Sequence, residues 1–172
     1  MKKKLFFFVL TALLLLVFFL FFQNKSQTSR IQDHQKISIL IGEEIELEVE
    51  VVNTPESITQ GLSGREGIDI HSTGSTKGGQ AGQIDGMLFI FPQRHIPKFW
   101  MKDMKFDLDF VWIDNGLVVD LTESVSMPEP GMKLQDLPTY SPKSQVNMVL
   151  ELPGGAINQY GIMMRHIVGL KP

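Results

Sequence analysis

At 172 residues, with 43% hydrophobic and 20% charged residues, the chain has room for one modest globular domain plus an appendage, and it is too apolar to be disordered. It has no cysteine, which excludes disulfide staples, thiolate catalysis, Cys-ligated zinc, iron–sulfur clusters and lipid attachment through sulfur. The formal net charge is −3, and the body is more acidic than that because three of the 16 basic residues stand at the extreme N-terminus, which argues against a nucleic-acid partner.

Those lysines, Lys2 to Lys4, precede the uncharged run LFFFVLTALLLLVFFLFF from Leu5 to Phe22. As a helix this run would rise roughly 27 Å, enough for a bilayer core. Its apolar core is longer than that of a signal peptide, and the exit Phe22-Gln23-Asn24-Lys25 lacks an A-x-A-like cleavage site. The expectation is a retained single-pass membrane anchor over 5–22. It carries a cytoplasmic basic tip at 1–4, a polar tether over 23–36 and an extracytoplasmic body over 37–172.

Within the body, Ile45, Leu47, Val49 and Val51 alternate with Glu46, Glu48 and Glu50, predicting a strand with one buried face and one solvated acidic face. Thr54-Pro55-Glu56 reads as a helix start, and the helix should stop at Gly61. Residues 71–82 (HSTGSTKGGQAG) hold no aliphatic bulk. They have no phosphate-loop pattern and read as a flexible insertion. Met87 to Phe91 is a short apolar strand ended by Pro92, and Leu108 to Asp114 is another. Asn115-Gly116 is a strong hairpin signal leading into Leu117 to Thr122. Four prolines punctuate a long connection before the strand Gln145 to Leu152; a helical turn over 156–160 and a last strand over 167–170 follow. Short strands without alternating long helices predict a mainly β (α+β) fold: a small, largely antiparallel barrel-like domain with one or two short helices, preceded by the transmembrane helix.

The segments Gly61-Leu62, Gly86-Met87-Leu88-Phe89-Ile90-Phe91, Phe99-Trp100-Met101-Lys102, Leu108-Asp109 and Ile113-Asp114 occur in order, followed by Val149-Leu150-Glu151-Leu152 and Gly161-Ile162. Together they resemble the domain-of-unknown-function 192 family, with its G-M-L-F-x-F run, its F-W-M-K-N segment and a following L-D strand. The resemblance covers roughly residues 45–168 and implies a small β-rich barrel, often exported or membrane-anchored. This chain departs from the pattern at Ser63, Asp103, Asp107 and Arg165-His166, where Met, Asn, Pro and Gly-Asp are usual.

Trp100, Met101, Lys102, Asp103, Asp107 and Asp109 are the candidate binding residues, because this is where charge is embedded in apolar sequence. An acid on an apolar strand face must be paired or hydrogen-bonded, and Lys102 is the expected partner of Asp109. The alternative to a polar cleft is an ion pair that only fixes the turn. His34, His71, His95 and His166 are too scattered for a metal site. No Ser/His/Asp constellation stands out, and Met163-Met164 and Met101/Met104 read as ordinary apolar residues. No metal or cofactor is expected. The reading that follows is a membrane-held binding or accessory module of the cell envelope, taking a small ligand, a peptide or an envelope protein. An enzyme using Asp/Lys acid–base chemistry and a purely structural protein are the alternatives.

Overall fold

A computed structural model describes residues 31–68 and 84–171. The fold is that of the unit Gln32–Pro172. No helix among the described residues is long and apolar enough to cross a membrane. The expected anchor over 5–22, its basic tip and the insertion over 71–82 lie outside the described residues.

Strands β1 (Lys36–Ile41), β2 (Ile45–Val52), β3 (Gly86–His95), β5 (Leu108–Asp114), β6 (Leu117–Val125), β8 (Val146–Pro153) and β9 (Val168–Lys171) form one sheet in the order β6-β5-β8-β3-β2-β1-β9. β4 (Phe99–Trp100) and β7 (Thr139–Tyr140) make a separate two-stranded ribbon. The short helices are α1 (Pro55–Gln60) and α2 (Ala156–Tyr160). The sheet curls into a half-barrel whose outermost strands meet at one corner. There Leu117 bridges Ile167, Val118 N–H donates to the His166 carbonyl (2.9 Å), and Val168 N–H donates to that of Gly116 (2.8 Å).

The mainly β expectation holds, with differences of physical origin. β2 and β3 pair parallel, in register from Val49↔Gly86 to Val52↔Phe89. A parallel pair needs a long crossover, and the connection carrying α1 supplies it. Pro92 does not end β3, which runs on to His95: Pro92 is exposed, and the register against β8 shifts between Ile90 and His95, so the missing N–H breaks no ladder bond. The end of the expected tether is part of the fold. His34 N–H donates to the Val51 carbonyl and Val51 N–H to that of Gln35, both at 2.8 Å. The Asp33 carboxylate accepts from Ser57 Oγ (2.7 Å), Thr54 Oγ1 (3.1 Å) and Asn53 N–H (3.0 Å). It thereby locks the capping box in which Thr54 and Ser57 each accept the other's backbone N–H at the start of α1.

The glutamate row of β2 is not uniformly wet. Glu50 is buried and accepts two bonds from Arg65 (2.9 and 3.0 Å) and one contact from His34 Nδ1 (2.8 Å). Burial pushes its carboxyl up, but the Arg65 guanidinium and His34 outweigh that and hold it below the usual range; the Glu50 bond raises His34 in turn.

The two faces of the sheet differ in chemistry. One carries Met87, Phe89 and Phe91 of β3 beside Val149 of β8 and Phe110 and Trp112 of β5, covered by Phe99 of β4 and by Leu62 after α1. Phe99 meets Phe89 and Trp112 edge-on at centroid distances of 4.9 and 5.6 Å. Trp112 is fully buried, and its Nε1–H donates to Thr122 Oγ1 (2.9 Å). The other face is aliphatic, with Val49 and Val51 of β2, Leu88, Leu150, Leu152, Val111 and Ile113.

Candidate functional site

The aromatic face is not completely covered. Between α1 with its following turn and the segment 95–100 lies a cleft of about 350 Å³. Thr59, Gln60 and Ser63 form one wall, and His95, Ile96 and Lys98 form the other. Phe89, Phe91, Phe99, Trp100 and Met104 supply its apolar lining, and Glu151 completes it.

Two glycines let this cleft exist. A Cβ at Gly86 would stand 2.5 Å from the Glu151 carbonyl oxygen and 2.7 Å from Leu152 Cδ2, so only glycine lets β3 lie this close to β8 beside the glutamate. Gly61 has φ +50°, and a Cβ there would reach to 3.1 Å from the Phe89 ring, so glycine also sets how closely the end of α1 approaches the aromatic face.

Glu151 sits in the middle of β8, opposite Met87 on one side and Phe110 on the other. Directly opposed residues share a face, so its side chain stands among the rings. It is 4% exposed, and its Oε2 has no hydrogen-bond partner among the described residues. Burial pushes its carboxyl up to about 8, leaving it mostly protonated at neutral pH. A buried acid with an open oxygen costs stability, and such a group lining a cleft is a functional candidate on physical grounds. Sequence reasoning passed over it. In Val149-Leu150-Glu151-Leu152 the glutamate looks like one solvent-facing position of a strand. The available signal was that β8 is otherwise apolar, as a central strand with both faces covered would be.

The sequence-predicted residues divide. Trp100, 42% exposed, lines the cleft. Met101 is buried and lines a different hollow, with Val125, Met132 and Tyr140. Lys102 and Asp103 pair with each other at 3.6 Å on the surface. Their turn is fixed through the backbone: Ser63 Oγ donates to the Lys102 carbonyl (2.7 Å) and Gly64 N–H to that of Asp103 (2.9 Å). Asp103 has φ +55°, a left-handed position that Asn and Asp tolerate best.

The expected Lys102–Asp109 ion pair is absent. Asp109 is fully buried on the aliphatic face and accepts backbone N–H bonds from Ser124 (2.7 Å) and Ile157 (2.8 Å). The first bond holds a bulge at Ser124 (φ +53°), and the second caps the start of α2. Asp107 is exposed and accepts from Met127 N–H (2.8 Å). None of Lys102, Asp103, Asp107 and Asp109 lines the cleft, so the four do not form one acid–base centre there.

Because Trp100 is a wall and not a core residue, Trp100→Ala should cost less than about 1.5 kcal/mol, whereas Trp112→Ala should cost about 3–5 kcal/mol through the cavity left in the aromatic cluster. Urea unfolding of both variants checks the ordering; equal losses would place Trp100 in the core.

Two other hollows, of about 550 and 460 Å³, are larger but more open, and neither holds a buried unpaired polar atom. No group of three or more metal-binding side chains occurs among the described residues.

A curled β half-barrel carrying an aromatic cleft with a buried acid defines a small β-rich domain. The chain belongs to the DUF192 family, described as an uncharacterised ACR, whose profile matches residues 38–168. No curated protein matches it. Two solved structures share the fold, each with a TM-score of 0.60. One is a Sinorhizobium meliloti protein provisionally described as a transcription regulator, at 20% identity over 81% of this chain and 97% of that one. The other is a Novosphingobium aromaticivorans protein of unknown function, at 18% identity over 81% of this chain and 89% of that one.

Proposed function

We propose that this chain is a binding module whose cleft between α1 and β4 takes a small ligand or a single side chain of a partner. The observation that carries this reading is Glu151, a fully buried carboxyl lining an aromatic cleft with one oxygen unbonded among the described residues. A buried acid with an open oxygen in a cleft is a place where a ligand donor can make up the missing bond. We place the module on the outer side of a membrane, tethered through residues 5–22. The apolar run, its leading lysines and the absence of a cleavage signal support that placement. The acidic balance of the body supports a partner that is not nucleic acid.

The test is a thermal-shift screen of the full-length protein against small amines, acids, sugars and peptides, run in parallel on Glu151→Gln. A ligand that binds only the folded state raises the melting temperature. The expected hit stabilises the wild type and loses most of its effect in the variant. Hits that stabilise both proteins equally would move the site elsewhere.

A further inference from the structure

We infer that the cleft receives the ammonium head of a small organic amine, which donates N–H bonds to the Glu151 carboxylate among the rings of Phe89, Phe91 and Phe99. This inference rests on the cleft reading above and names its ligand class.

The open Oε2 of Glu151 asks for a donor, and a primary ammonium brings three. The walls around it are aromatic, and ring faces attract a cation that has left water. The protein leaves the acid at that position without a basic partner among the described residues. Glu50 lies on the same face in the same cross-strand row, Glu50↔Met87↔Glu151, about 10 Å away at two strand spacings. Its charge is answered by Arg65 and His34. Glu151 forms no ion pair with any described residue. The other titratable groups of the cleft are His95 on β3 and Lys98 in the following loop, both exposed at the outer wall. Phe110 of β5 and Thr59 and Gln60 of α1 bring no charge. A ligand therefore meets an acid inside and a cation outside, a polarity that draws its ammonium end inward.

The proton balance is simple. Free Glu151 carries a proton at neutral pH and the complex holds carboxylate against ammonium, so one proton passes to solvent for each amine bound. No covalent bond of the amine forms or breaks.

The probes are benzylammonium, benzyl alcohol and phenylacetate, titrated calorimetrically into full-length protein in detergent micelles at pH 6, 7, 8 and 9, in two buffers of different ionisation heat. Backbone amide chemical shifts locate the binding. Benzylammonium should bind at β3 and β4 and release close to one proton at pH 6. Its affinity should rise about tenfold per pH unit up to roughly pH 8 and level off above, following the fraction of Glu151 that is ionised. Glu151→Gln keeps the shape and should abolish both the slope and the proton release, with at least a tenfold loss of affinity at pH 8. Benzyl alcohol or phenylacetate binding at β3 and β4 at least as tightly as benzylammonium would overturn the amine assignment and leave the cleft standing. Shifts from none of the three at these strands would overturn both.

Discussion

Glu151→Leu should make the folded chain about 3 kcal/mol more stable at pH 7, a gain produced by removing a charged residue type from the middle of a sheet. In the unfolded chain the carboxyl has its ordinary value of 4.5; in the fold, burial pushes it to about 8. Between those values the unfolded state has released its proton and the native state has not, so the unfolded state binds fewer protons and stability falls as pH rises. The loss begins near pH 4.5, grows by about 1.4 kcal/mol per unit and is complete near pH 8, at which point it amounts to roughly 5 kcal/mol. Leucine has no such titration and packs with Met87, Phe89 and Phe110, its neighbours on that face. Urea unfolding of both proteins from pH 5 to 9 measures the effect as a difference that widens with pH up to about 8. A variant less stable than wild type at pH 7, or a difference that does not change with pH, would mean that Glu151 has a partner in the native state. A group that costs so much in the fold, and that lines a cleft, is the physical reason to regard the cleft as functional.

The opposite result is expected for Asp109. Asp109→Ala should destabilise the fold by about 2–4 kcal/mol, because it leaves the buried N–H of Ile157 without an acceptor, at about 1–3 kcal/mol, removes the bond that holds the exposed bulge residue Ser124, and opens a small cavity. Asp109→Asn keeps one acceptor oxygen and turns an NH2 toward the second N–H, so its loss should fall between alanine and wild type. Lys102→Ala should stay within about 0.5 kcal/mol, since among the described residues the Lys102 side chain pairs with the exposed Asp103 at the surface. Denaturant midpoints for the three variants order these effects. A Lys102→Ala loss matching that of Asp109→Asn would restore the ion-pair explanation.

The two acids show what the sequence could and could not reveal. Local signals were legible: the alternation of β2, the Thr54-Pro55 cap, and the Asn115-Gly116 turn, whose residues take φ +50° and +77° as a type I′ hairpin requires. The family motifs marked the core strands. Asp109 stood out as an acid on an apolar strand that needs a partner, but the partners are backbone amides from segments 15 and 48 residues away, which no spacing rule encodes. β4 and β7 are two residues each, and they pair across a long loop while Phe99 and Tyr140 pack against Phe110, a tertiary contact no local pattern encodes. Glu151 was hidden for a related reason. Its isolation depends on the strands to either side placing Met87 and Phe110 opposite it, and that register belongs to the assembled sheet.

The pairing of β1 carries a consequence for the order in which the chain can assemble. β1 joins β2 through a tight hairpin, from Ile41↔Ile45 outward, and this contact is available as soon as about fifteen residues of the body have been made. Its other edge pairs with β9, where Ser38 faces Lys171, almost the whole length of the body away. Until β9 has been made, the amides and carbonyls along that edge of an apolar strand lack their β9 partner. Such an edge can recruit a second chain. Contacts of such long sequence separation also slow closure, since the connecting loop must surrender its entropy before the pairing returns anything. The final four-residue strand thus acts as a latch on vectorial synthesis. A chain truncated before Val168 presents β1 as an open template.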